Sequence, residues 1–191
     1  MTHWVDEFLV PLDACKSGIE KARKFSAPQE AWNAWDNSSE LLWTLARHGE
    51  HDQRKQVLCA CDIAERVLPL FEEKYPEDRR PRAAIESARA CAESPTEENL
   101  RNTYAAASAA DCAARSAAYA ADASDAALSA ANAAASAARA ARSAFHAASH
   151  AADTASAAAF ATADDDIERQ AQADIVRKYF PVSPFVKGDK P

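Results

Sequence analysis

Between residues 105 and 163, 34 of 59 positions are alanine. This tract limits the fold more than any other feature of the chain. Alanine loses no side-chain entropy in a helix and is the strongest helix former. From Glu97 to Tyr179 there is neither glycine nor proline to stop a helix. Over all 191 residues there are 49 alanines and three glycines, and Val, Ile and Thr together number 18. Hairpins need glycine-type turns, and strands need β-branched side chains. The chain is therefore read as all-α: a multi-helix bundle with short N-terminal helices and a long, closely packed Ala-rich half.

The tract also has a phase. Every seventh residue from Ala106 to Ala155 is alanine, and a second column runs from Ala109 to Ala158, interrupted by Ser116. Asp111, Arg115, Asp125, Asn132, Arg139 and Asp153 fall mostly on the opposite face. The pattern is that of an amphipathic helix whose apolar side is made of methyl groups. A buried methyl contributes roughly 0.8 kcal/mol, against about 1.5–3 for a Leu or Phe side chain, so such a seam stabilises only where helices approach closely. A single helix through the tract would run roughly 90 Å, and a globule of this length has a radius of gyration of about 16 Å. Two or three packed helices are expected instead, with breaks near 122–125 and 149–153, where short polar residues can cap new helices. A last helix is expected to open at 162–166 and end at Tyr179.

The first 96 residues are punctuated. Pro11 interrupts any helix begun at Thr2. Ser26 to Gln29 and Asn37 to Glu40 each read as a capping box, and Gly49 as a left-handed stop. After Asp52, the residues Val57, Leu58, Cys61, Ala64 and Leu68 recur at helical spacing, and Pro69 is expected to end or kink that helix. Pro81 suits the first turn of another helix with Ala84, Ile85, Ala88 and Cys91 inward. Ser94-Pro95-Thr96-Glu97 reads as cap, first-turn proline and N3 glutamate. A single domain is expected over 1–181, divided into halves at 1–96 and 97–181, with 182–191 a flexible tail.

The formal net charge is −7 and is spread over both halves. No region is basic, so nucleic-acid binding is not expected; an acidic surface would suit a basic protein partner. Ser, Asp and Arg recur too often for a stretch of ~18 apolar residues, so no membrane span is expected. The N-terminus lacks the basic and apolar regions of a secretory signal. Five cysteines in a chain of cytosolic character are read as reduced thiols acting as small hydrophobes.

Candidate chemistry is sparse. His146 and His150 stand four apart with Asp153 nearby, but Ala-Ala-Ser between them lacks the glutamate of a metalloprotease helix. Cys59 and Cys61 point to opposite sides of a helix and cannot chelate together. No phosphate loop, nucleophile elbow or dinucleotide fingerprint occurs. No catalytic residue, metal or cofactor is assigned, and the chain is read as a non-enzyme. Two acidic clusters are candidate partner-binding residues: Glu72, Glu73, Glu77 and Asp78, beside Arg79, Arg80 and Arg82, and then Asp164, Asp165 and Asp166, which would equally suit a helix N-terminus. All four tryptophans lie in the first 43 residues and read as core or as interface anchors.

Three stretches carry a resemblance: Glu40-Leu-Leu-Trp-Thr-Leu-Ala-Arg47, Arg80-Pro-Arg-Ala-Ala-Ile-Glu-Ser-Ala88, and an alanine-dense tract ending in Asp174-Ile-Val-Arg-Lys-Tyr-Phe-Pro181. In this order they resemble the all-α family of immunity proteins in bacterial polymorphic toxin systems, over roughly residues 30–181. The family's opening tryptophan motif is altered here, with Ser-Glu before Leu41. The resemblance implies a cytoplasmic protein that binds a cognate toxin domain and blocks it, with no catalytic residues. Arg80, Arg82 and Glu86 are read first as structural, with Arg82 and Glu86 an i,i+4 pair. The competing reading is a non-catalytic helical scaffold that forms homo-oligomers through the alanine seam.

Overall fold

The computed structural model describes residues 2–48, 52–119, 125–142, 147–161 and 166–186. Among these the chain forms ten helices and no strand: α1 (Trp4–Phe8), α2 (Lys16–Ala22), α3 (Pro28–Ala34), α4 (Ser38–His48), α5 (Gln53–Lys74), α6 (Arg80–Glu93), α7 (Glu97–Tyr119), α8 (Asp125–Arg142), α9 (Ala147–Ala161) and α10 (Asp166–Tyr179). The all-α expectation holds.

Two helices make the centre. α8 packs against α5, α6, α7 and α9, and α5 packs against α6, α8, α9 and α10. Contact on several sides explains α8 better than the amphipathic reading does. Ala130, Ala131, Ala133, Ala134, Ala135, Ala137, Ala138 and Ala140 are all fully buried, so methyl groups face neighbours all round the helix. Methyl-sized side chains favour a helix and still let neighbouring helices approach closely. Among the described polar side chains of α8, Asp125 is exposed, and Ser129, Asn132 and Arg139 are half-buried. Arg139 Nη1 holds Asp111 of α7 at 2.8 Å. The described alanines of α8 are thus covered by helices of the same chain.

The same surroundings bury both Cys59 and Cys61 on α5, although they point apart. Burial pushes both thiols up, Cys61 to about 12. Both are inert core hydrophobes. All five cysteines are free, with Cys15 and Cys112 exposed.

Polar cross-braces fix the helices relative to one another. The Ser87 and Thr103 hydroxyls meet at 3.0 Å between α6 and α7. Asp62 of α5 accepts from Arg89 of α6 at 2.8 Å, and from Tyr179 Oη at 2.8 Å and Lys178 Nζ at 3.1 Å, both of α10. Burial alone would raise Asp62, but these three donors outweigh it and hold its carboxyl below the ordinary range. Tyr179 is pushed up, by burial first and then by Asp62.

Several helix ends differ from the sequence reading. No break falls at 149–153, which lies inside α9; the interval between α8 and α9 is 143–146. The expected break near 122–125 agrees with α8 opening at Asp125, and 120–124 lies outside the described residues, as does Gly49. Glu30 takes the place expected of Gln29, accepting from both the Ser26 amide and hydroxyl. Asn37 Oδ1 caps α4 through the Glu40 amide at 3.0 Å. Ser94 ends α6 instead of starting α7, and Thr96 Oγ1 supplies the cap by accepting from the Asn99 amide. Pro69 lies inside α5 without ending it. No described helix is long and apolar enough to cross a membrane.

Candidate functional site

A concave feature of the surface lies in the N-terminal layer, where α1 to α4 and the segment after α10 meet. All four tryptophans converge there, each held by the fold. Trp4 Nε1 donates to the Phe25 carbonyl at 3.0 Å, and Trp32 Nε1 to the Phe180 carbonyl at 2.9 Å. Trp35 Nε1 donates to Glu40 Oε2 at 2.5 Å. The Trp43 ring carries the Arg47 guanidinium 5.6 Å from its centre. Together they line a pocket of about 340 Å³, near the lower end of the roughly 300–1,000 Å³ range of ligand sites.

The pocket exists because the two ends of the chain are stitched together. Gln29 Oε1 accepts from the Ser183 amide at 2.8 Å, and Gln29 Nε2 donates to the Pro181 carbonyl at 3.1 Å. Arg177 donates to the backbone carbonyls of Trp32 and Trp35. Phe185, only 5% exposed, stacks on Phe8 with ring centres 5.4 Å apart. Residues 182–186, read from sequence as the start of a flexible tail, are thus docked; 187–191 lie outside the described residues. The physical reason is the aromatic content of this segment, which finds an apolar seat beside Trp4.

Among the polar groups lining the pocket are Asp13, Glu40, Arg47 and the hydroxyls of Ser39 and Thr44. The hydroxyls are engaged: Ser39 meets Ser156 at 2.7 Å, and Thr44 donates to the Leu41 carbonyl. Cys15 sits at the rim, where bonds from Ser17 and the Gly18 amide lower its thiol. A site of indole faces and carboxylates can bind and orient a group.

The acidic residues named from the sequence do not form one site. Glu72 is held bidentate by Arg82 at 2.6 Å, and Asp78 by Arg80, which lowers the Asp78 carboxyl. Arg82 therefore pairs across to α5 and not with Glu86 on its own helix. Glu73 and Glu77 are exposed. Asp166 pairs with Arg169 in the first turn of α10, while Asp164 and Asp165 lie outside the described residues. His146 also lies outside them, and His150 Nδ1 faces Asp153 at 3.4 Å. Among the described residues, no three His, Cys, Asp or Glu side chains are grouped to hold a metal ion.

From the sequence the tryptophans read as core or anchors, and their convergence is seen only in the fold. Their confinement to the first 43 residues was the available signal. No curated protein and no solved structure matches the chain. A family model, that of the Imm-5 like putative immunity protein, matches residues 47–178, more than two thirds of the chain. The match covers α5 to α9 and nearly all of α10, and of the pocket residues named above it includes Arg47 alone. The chain belongs to the Imm-5 like putative immunity protein family.

Proposed function

We propose that this protein binds a cognate bacterial toxin domain in the cytoplasm and neutralises it by stoichiometric occlusion, without chemistry of its own. Family membership over residues 47–178 is the observation that carries the reading. The build of the molecule is in keeping with it. Cross-braced helices give a rigid body, and rigid partners lose little freedom on association. The net charge of −7 suits a basic toxin surface, and exposed Glu73, Glu77 and Asp166 would add to that attraction. Glu72 and Asp78, already held by arginines, would contribute less, and Asp164 and Asp165 stay with Asp166 as candidate steering charges.

The test is co-expression with the toxin encoded beside it. Growth should be restored, and a one-to-one complex should elute from a sizing column. Continued toxicity with soluble, folded protein present, and no complex, would reject the reading. Burial of the described α8 alanines inside the chain weighs against the scaffold alternative. Light scattering on the protein alone should report a monomer.

A further inference from the structure

We propose that the tryptophan pocket is the seat for a lysine or arginine side chain of a partner protein. On the toxin-neutralisation reading, on which the partner's identity rests, that side chain belongs to the toxin. Indole faces attract cations through the ring quadrupole, and tryptophan does so best. Two rings of this cluster already hold cations: Lys21 Nζ stands 4.5 Å from the centre of Trp35, and Arg47 lies over Trp43.

Charge on the pocket wall points the same way. Lys21 is balanced by Asp36 at 2.7 Å and leaves no excess. Glu40 accepts from the neutral indole of Trp35, and no ion pair compensates its charge among the described residues. Asp13 likewise has no ion pair there, and its backbone is held at φ 56°. Arg47 offsets one of these two carboxylates, so the lining retains one negative charge among four indoles. Asp13 is exposed and Glu40 half-buried, so an apolar occupant would take Glu40 further from water with no cation to answer it, which is costly. A cationic head on an alkyl stem answers the carboxylates and covers the rings. Tryptophan and arginine are also the residues that most often dominate interface energetics.

Because every tryptophan in the chain lines this pocket, intrinsic tryptophan fluorescence reports on it directly. The full-length protein is titrated with N-acetyl-arginine amide and with the uncharged N-acetyl-norleucine amide at constant ionic strength. The arginine probe should quench saturably and bind roughly tenfold more tightly than the norleucine probe. Glu40→Gln keeps an acceptor for Trp35 and removes the charge, and it should bring the two probes to within about twofold. Equal binding of the two probes, no response to either, or an unchanged preference in folded Glu40→Gln would overturn the proposal. A second arm separates it from the toxin reading. If the toxin is held equally well by wild type, Glu40→Gln and the pocket-filling Ala14→Leu, the pocket proposal falls and toxin binding stands. If the toxin is not held at all, the toxin reading falls, and the probe titration alone decides the chemistry of the pocket.

Discussion

The two halves of this molecule solve packing in opposite ways. Around α8, methyl groups meet on every side, and helix axes are brought together by the smallest side chain that still favours a helix. In the N-terminal layer, large aromatic residues sit on short helices joined by turns, and their bulk keeps the elements apart. The first solution sets fully buried methyl groups between the described helices. The second leaves a cavity of about 340 Å³ bounded by four indoles. A dense alanine centre supplies rigidity at little side-chain entropy, and the aromatic layer supplies a shaped surface. The framework lies within the residues that match the family model, and the pocket lies almost wholly before them.

Breaking the contrast is simplest at the centre. Ala134 is fully buried on α8, so Ala134→Leu should lower unfolding free energy by about 3 kcal/mol through overpacking. A thermal melt unchanged by that substitution would mean the seam is looser than described. The next effect lies in the cross-brace. Asp62→Asn should cost about 2 kcal/mol at neutral pH, since it removes the charge from three hydrogen bonds.

The same carboxylate carries a pH dependence whose sign is fixed. Its folded pKa is depressed, so its contribution is complete above the unfolded value of about 3.9 and is lost as pH falls through the folded value. Tyr179 runs the other way: its folded pKa is raised, so its contribution holds below about pH 10 and fades as pH rises beyond it. Denaturant melts from pH 7 to pH 3 should show the gap between wild type and Asp62→Asn closing at the acid end. A constant gap would contradict the ion-pair account.

Smaller effects belong to the aromatic layer. Gln29→Ala should cost about 1 kcal/mol by releasing the segment after α10, seen as faster proteolysis after Phe180 with α8 unaffected. Smallest of all, Ala14→Leu fills open volume and should change stability by less than about 0.5 kcal/mol. If Ala14→Leu costs as much as Ala134→Leu, the contrast between a filled centre and an open layer fails.

Much of this organisation is legible in the residues themselves. Alanine density and missing glycine give the fold class. Asn37 marks the start of α4, and the inward face of α6 follows from the spacing of Ala84, Ile85, Ala88 and Cys91. The all-round burial of α8 was hidden because Asp125, Asn132 and Arg139 recur every seventh residue, which mimics a solvated face. Arg82 turned to Glu72 because another helix lay within reach, and local spacing carries no sign of that. The docked tail and the pocket depend on bonds such as Trp32 to Phe180 and Gln29 to Ser183, spanning 148 and 154 residues. Such contacts leave no periodic trace, so the tryptophans showed that an aromatic cluster was available without showing where it would gather.

The division into framework and working surface is tested most directly by hydrogen exchange on the protein free and bound to the toxin encoded beside it. Added protection is expected in α3 and α4, around Trp32, Trp35 and Trp43, with α8 slow and unchanged in both states. Protection gained elsewhere while α3 and α4 exchange as in the free protein would contradict it.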